Sequence, residues 1–111
     1  MRIERVGLAT SPNGIHWHRE NGGKPVMNVG RPGSIDSIQA TGGHVLHIDG
    51  KFVMWYGAYD GVHTLGRATS PDGVHWTKGN DGRSLPGLAG GQQFGPSVYF
   101  DGNQFLMVYN H

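Results

Sequence analysis

Short apolar runs with polar neighbours, cut by glycine steps, dominate the chain. His44-Val45-Leu46-His47-Ile48 leads into Asp49-Gly50 and then Lys51-Phe52-Val53-Met54-Trp55-Tyr56. This pattern predicts a β-hairpin, because the Asp-Gly step supplies the positive φ that a tight turn requires. Pro96-Ser97-Val98-Tyr99-Phe100, Asp101-Gly102 and Phe105-Leu106-Met107-Val108-Tyr109 repeat the unit. Aligning Phe52 with Phe105, Met54 with Met107 and Tyr56 with Tyr109 makes the second turn one residue longer. No segment sustains a helical period, and the intervals between Gly and Pro are too short for a helix.

A second kind of hairpin occurs twice. Val6-Gly7-Leu8-Ala9-Thr10-Ser11-Pro12-Asn13-Gly14-Ile15-His16-Trp17 returns as Leu65-Gly66-Arg67-Ala68-Thr69-Ser70-Pro71-Asp72-Gly73-Val74-His75-Trp76, with eight of twelve positions identical. Ser-Pro-Asx-Gly fits a type I turn, with proline presetting φ. Gly7 and Ala9, or Gly66 and Ala68, share one strand face, where small residues would let a neighbouring sheet approach. Ile15 and Trp17, or Val74 and Trp76, share a face as packing anchors. Repeats of this period imply stacked or radially arranged units.

With strands A–B for the Asp-Gly hairpin and C–D for the Ser-Pro-Asx-Gly hairpin, the chain reads C–D, A–B–C–D, A–B. One domain over residues 1–111 is expected, with half a unit at about 1–20, a whole unit at about 44–79 and half a unit at about 96–111. Half units with open edges are aggregation hazards unless they pair. The chain is therefore expected to assemble head to tail with copies of itself. Identical two-unit chains close as a dimer of four units or a trimer of six, never five.

Composition narrows the classes. The 111 residues include 20 Gly, 6 Pro and no Cys, which suits many tight turns and excludes disulfides and thiolate metal sites. A net charge of +1 without a basic run argues against nucleic acid. No apolar run approaches a membrane span, and Met1-Arg2-Ile3-Glu4-Arg5 has no apolar leader core. A cytoplasmic location is expected, a secreted one only if a leader has been removed.

Gly7 to Trp17, Gly66 to Trp76 and Asp49 to Gly61 together resemble the blade repeats of five-bladed β-propeller glycosidases of the arabinanase, xylosidase and fructosidase type. The resemblance implies an all-β fold of β-propeller blades, four-stranded antiparallel meanders, about two blades per chain. It implies a two-blade excerpt, since the full enzymes are much longer.

The family's chemistry carries over poorly. Glycoside hydrolysis needs two carboxyl groups flanking the bond. The family places one acid in an acid-proline step at the start of an A strand and another in a Glu-Gly-Pro step. Here the A strands begin Gly42-Gly43-His44 and Phe94-Gly95-Pro96, with Phe94 in the place of the acid. Asp49, Asp60, Asp72, Asp81 and Asp101 all precede glycine in turns, and Glu4 and Glu20 read as solvated charges. Asp36 alone has no turn explanation, and its Gly33-Ser34-Ile35-Asp36-Ser37 stretch resembles a Gly-Ser-Trp-Asp loop of some relatives. No catalytic residue is assigned.

The expected function is a non-catalytic carbohydrate- or small-ligand-binding module assembled from identical chains. A glycoside hydrolase with a fragmentary or intersubunit site, and an interaction protein without ligand, are the alternatives. Candidate ligand-binding residues are Asp36, Ser37, His44, Trp55, Tyr59, Gln93 and Phe94. Asp36 and Ser37 lie in a loop entering an A strand, and Gln93 and Phe94 in another; both loops are long for a small domain. Asp36 can equally hold its own loop as an Asx-turn, and Trp55, mid-strand, can fill space between blades. His44 and His47 are three apart and cannot chelate from a regular strand; no metal or cofactor is expected.

Overall fold

The computed structural model describes residues 2–80, 83–88 and 91–111, so the turn expected at Asp81 lies outside the described residues. The chain is all-β. Strand β1 (Ala9–Thr10) pairs with β2 (His18–Arg19), and a short 3-10 turn at Asn21–Gly23 follows. Strands β3 (Gln39–Ile48), β4 (Lys51–Tyr59), β5 (His63–Ser70) and β6 (Thr77–Lys78) form an antiparallel meander in chain order. Strands β7 (Phe94–Phe100) and β8 (Phe105–Asn110) make a further pair. These are β-propeller blade strands, two blades' worth in one chain.

The complete blade is built by local chemistry. At the β3–β4 turn, Asp49 and Gly50 both take positive φ, at 52° and 77°, the pair of values that a two-residue hairpin demands. Each Ser-Pro-Asx-Gly turn is held by its own side chains. Ser70 Oγ accepts from Gly73 N at 2.8 Å, and Asp72 Oδ1 accepts from Val74 N and His75 N at 2.9 Å each. The His75 backbone N–H, with help from its ring, holds the Asp72 carboxyl well below the usual carboxylate range. Ser11 and Asn13 reproduce the same bonds to Gly14, Ile15 and His16 at 2.8, 2.9 and 3.0 Å.

Strand β3 starts at Gln39, not at Gly42-Gly43-His44 as the glycine pair suggested. Thr41 pairs with Gly57 and His44 with Trp55, so the strand runs through a bulge at the two glycines. A Cβ on Gly43 would overlap the Trp55 carbonyl, so the close approach excludes any larger residue.

Strand β4 sits between β3 and β5 and is buried on both faces, which explains its nearly unbroken apolar run. Met54, Tyr56 and Ala58 point to one side and pack with Val6, Met27, Ala40 and Ala68. Val53 and Trp55 point to the other and pack with Val98. The two terminal half-blades therefore cover opposite faces of the central blade. Ala68 lies in the cluster shared with Val6 and Met27, whereas Gly66 serves a different purpose from the one expected. Gly66 pairs with Tyr56 inside the same sheet, and a Cβ there would lie 2.6 Å from the Tyr56 ring.

Candidate functional site

One end of the complete blade gathers the N-terminal ends of β3 and β5 and the C-terminal end of β4. The start of β7 joins them around a cavity of about 290 Å³. Its aromatic wall is Tyr59, His63 and Phe94. The Tyr59 and His63 rings lie 4.5 Å apart, and the His63 and Phe94 rings meet edge-on at 5.9 Å. Glu4, Gln39, Thr41 and Gln93 supply the polar lining. Glu4 is the one carboxylate among the described lining residues.

The cavity residues are fixed from several directions. Ala40 N donates to Glu4 O at 2.9 Å, which lays the N-terminal segment beside β3. Gln39 Nε2 donates to Arg2 O at 2.8 Å. Gln93 N donates to His63 O, and His63 N donates to the Gln92 side chain, both at 2.8 Å. The loop before β7 is thus tied to the first residue of β5.

A separate polar cluster lies inside the blade. Asp36 has no exposed surface. Its Oδ1 accepts from Ser34 Oγ at 3.1 Å, and its Oδ2 accepts from Tyr56 OH at 3.0 Å. Lys78 Nζ lies 2.6 Å from Oδ2 and also donates to Asn28 O at 2.5 Å. Asp36 thus straps residues 28–38 to β4 and β6 through other residues' side chains, where an Asx-turn was the structural expectation. Burial first, then the Asp36 charge, pushes the Tyr56 hydroxyl above its ordinary value. A raised value means the folded state holds that proton more tightly than the unfolded state. The resulting stability is complete below about pH 10, the free tyrosine value, and is lost as pH rises from there through the raised folded-state value. Urea midpoints should therefore fall above about pH 10, and less steeply in Tyr56→Phe; equal slopes would refute the coupling.

Of the seven expected ligand-binding residues, the structure brings Tyr59, Gln93 and Phe94 together at the cavity. Asp36 and Trp55 are buried elsewhere, Trp55 in the core beneath the Arg67 guanidinium at 5.9 Å. Ser37 and His44 are half-buried and line no part of it. Glu4, Gln39 and His63 were missed. Glu4 read as a solvated charge because its neighbour Gln39 lies 35 residues away in sequence. Among the described residues no three His, Asp or Glu side chains cluster as a metal site would require. Among the described residues no helix is long and apolar enough to cross a membrane.

Fold and cavity together define an all-β, propeller-blade protein with an aromatic cleft at one end of its complete blade. A solved structure shares this fold: a candidate glycoside hydrolase from Parabacteroides distasonis ATCC 8503, with a TM-score of 0.55 and 24% sequence identity. The match covers 94% of this chain and 32% of the other, so the chain spans about a third of that protein's length. No protein-family model matches the sequence, and no curated protein matches it.

Proposed function

We propose that the chain is a non-catalytic carbohydrate-binding module, related to β-propeller glycosidases of the five-bladed type and retaining their scaffold without their acid pair. The observation that carries this reading is the cleft at Tyr59, His63 and Phe94, which sets aromatic faces beside the amides of Gln39 and Gln93 and the carboxylate of Glu4. Aromatic faces take the C–H side of a sugar ring, while amide and carboxylate oxygens take its hydroxyls. A single carboxylate at the cleft falls short of the two that glycoside hydrolysis requires. At about 290 Å³ the cavity is at the small end for ligand sites and suits a short glycan end.

The test is a glycan panel followed by titration calorimetry on the best binder. Tyr59→Ala should weaken binding about tenfold, the equivalent of about 1.4 kcal/mol. A wild-type chain that binds no glycan would overturn the reading. The hydrolase alternative draws on the solved neighbour's description. Turnover of aryl glycosides that Glu4→Gln abolishes would favour it.

A further inference from the structure

The terminal hairpins are the two halves of a blade that a single chain leaves separate. The complete blade shows how such halves join. In β5–β6, Ala68 pairs with Lys78 and Thr69 with Thr77; in β1–β2, Ala9 pairs with Arg19 and Thr10 with His18, the same register at repeat-equivalent positions. Even the hydrogen bond beyond the pair is kept: Gly79 N donates to Arg67 O at 2.8 Å, and Glu20 N to Leu8 O at 2.9 Å. In β3–β4, His44 pairs with Trp55 and His47 with Phe52; in β7–β8, Ser97 pairs with Val108 and Phe100 with Phe105. Both A strands carry their irregularity at the matching place, Thr41/His44 and Phe94/Ser97.

Two differences from the complete blade bear on how the halves join: the outward face of β8 is uncovered, and β1 has no β4-like neighbour in its two-stranded sheet. Trp55 is 7% exposed, and its counterpart Val108 is 74% exposed; Val53 is 2% exposed, and its counterpart Leu106 is 45%. On the other half, a Cβ at Gly66 would strike Tyr56, whereas a Cβ at the equivalent Gly7 meets nothing within 4 Å. The seat for a tyrosine ring is present at Gly7 and empty, and the tyrosine equivalent to Tyr56 is Tyr109. The halves lie against opposite faces of the central blade, so one chain cannot bring them together.

We infer that β8 of one copy pairs antiparallel with the β1 segment of a second copy in the register of β4 and β5. Tyr109 then lies opposite Gly7, Val108 opposite Leu8, Met107 opposite Ala9 and Phe105 opposite Ser11. The cation–π pair of Arg67 and Trp55 becomes an aliphatic pair, Leu8 and Val108, in the join. Each open edge carries the register and side-chain complement of the other, and this match is the ground for taking a second copy as the occupant. The inference is independent of whether the cleft takes a sugar.

Light scattering on the eluting 111-residue chain should give two or three times 12.0 kDa, the closed rings that two-blade chains form. Gly7→Val should keep the β circular-dichroism signature, since its side chain meets open space in the single chain, and should elute at 12.0 kDa. Leu8 O is turned toward β2, which makes its cross-copy pair a non-hydrogen-bonded one with Cα atoms about 4.5 Å apart, within disulfide reach. Leu8→Cys combined with Val108→Cys, in a chain that has no other cysteine, should therefore give covalent multimers under oxidation, and adding Gly7→Val should suppress them. A wild-type monomer would assign the open edges to some other stretch of polypeptide and overturn the inference. So would an oligomer that survives Gly7→Val and forms no cross-link.

Discussion

Asp36→Ala is expected to cost about 3–5 kcal/mol of folding stability, the range for removing one partner of a buried ion pair. The substitution leaves Lys78 Nζ, which is itself mostly covered, and Tyr56 OH facing a space without their acceptor. It also frees residues 28–38, whose end is stitched to the blade by Ile38 N donating to Tyr59 O at 3.0 Å. Tyr59 and Gln39 flank that stitch and line the cleft, so the loss should reach ligand binding as well as stability. Urea unfolding of Asp36→Ala measures the first effect. The double variant Asp36→Leu, Lys78→Met should recover most of it, because neither charge is then stranded. A loss under about 1 kcal/mol in the single variant would show that water reaches Lys78 and that the strap is dispensable.

Gly66→Ala should be the next most damaging change, at about 3 kcal/mol, the top of the range for overpacking. The added carbon meets the Tyr56 ring at 2.6 Å. The ring has little room to move, because its hydroxyl is held by Asp36 and the residue is 1% exposed in a cluster with Met54, Ala58 and Ala68. A double-mutant cycle with Tyr56→Ala isolates the clash: in that background Gly66→Ala should be close to neutral. An equal cost in both backgrounds would place the fault in the backbone instead of the ring.

The blade was legible in the sequence because its determinants are local. Asp49-Gly50 fixes one hairpin, Ser70 to Gly73 fixes another, and the apolar run from Phe52 to Tyr56 marks a strand. The start of β3 was misplaced because Gly42-Gly43 reads as a stop, whereas the sheet absorbs it as a bulge. The cleft was only partly legible. Gln93 and Phe94 could be suspected from their loop and Tyr59 as an aromatic able to stack on a sugar ring, but Glu4, Gln39 and His63 reach it from three elements distant in sequence. Asp36 stood out as the acid without a turn, yet its partners Tyr56 and Lys78 lie 20 and 42 residues on. Such pairings are tertiary facts, and no nearby pattern announces them.

The Ser and Asx side chains of the Ser-Pro-Asx-Gly turn bond only within six residues, alike in the filled blade and in the open hairpin. Its geometry therefore needs no co-adapted neighbour. Such a corner is portable: a gene segment encoding it can be copied and inserted elsewhere, and the new hairpin arrives already bent. Lineages that lengthen by duplication would draw on corners of this kind.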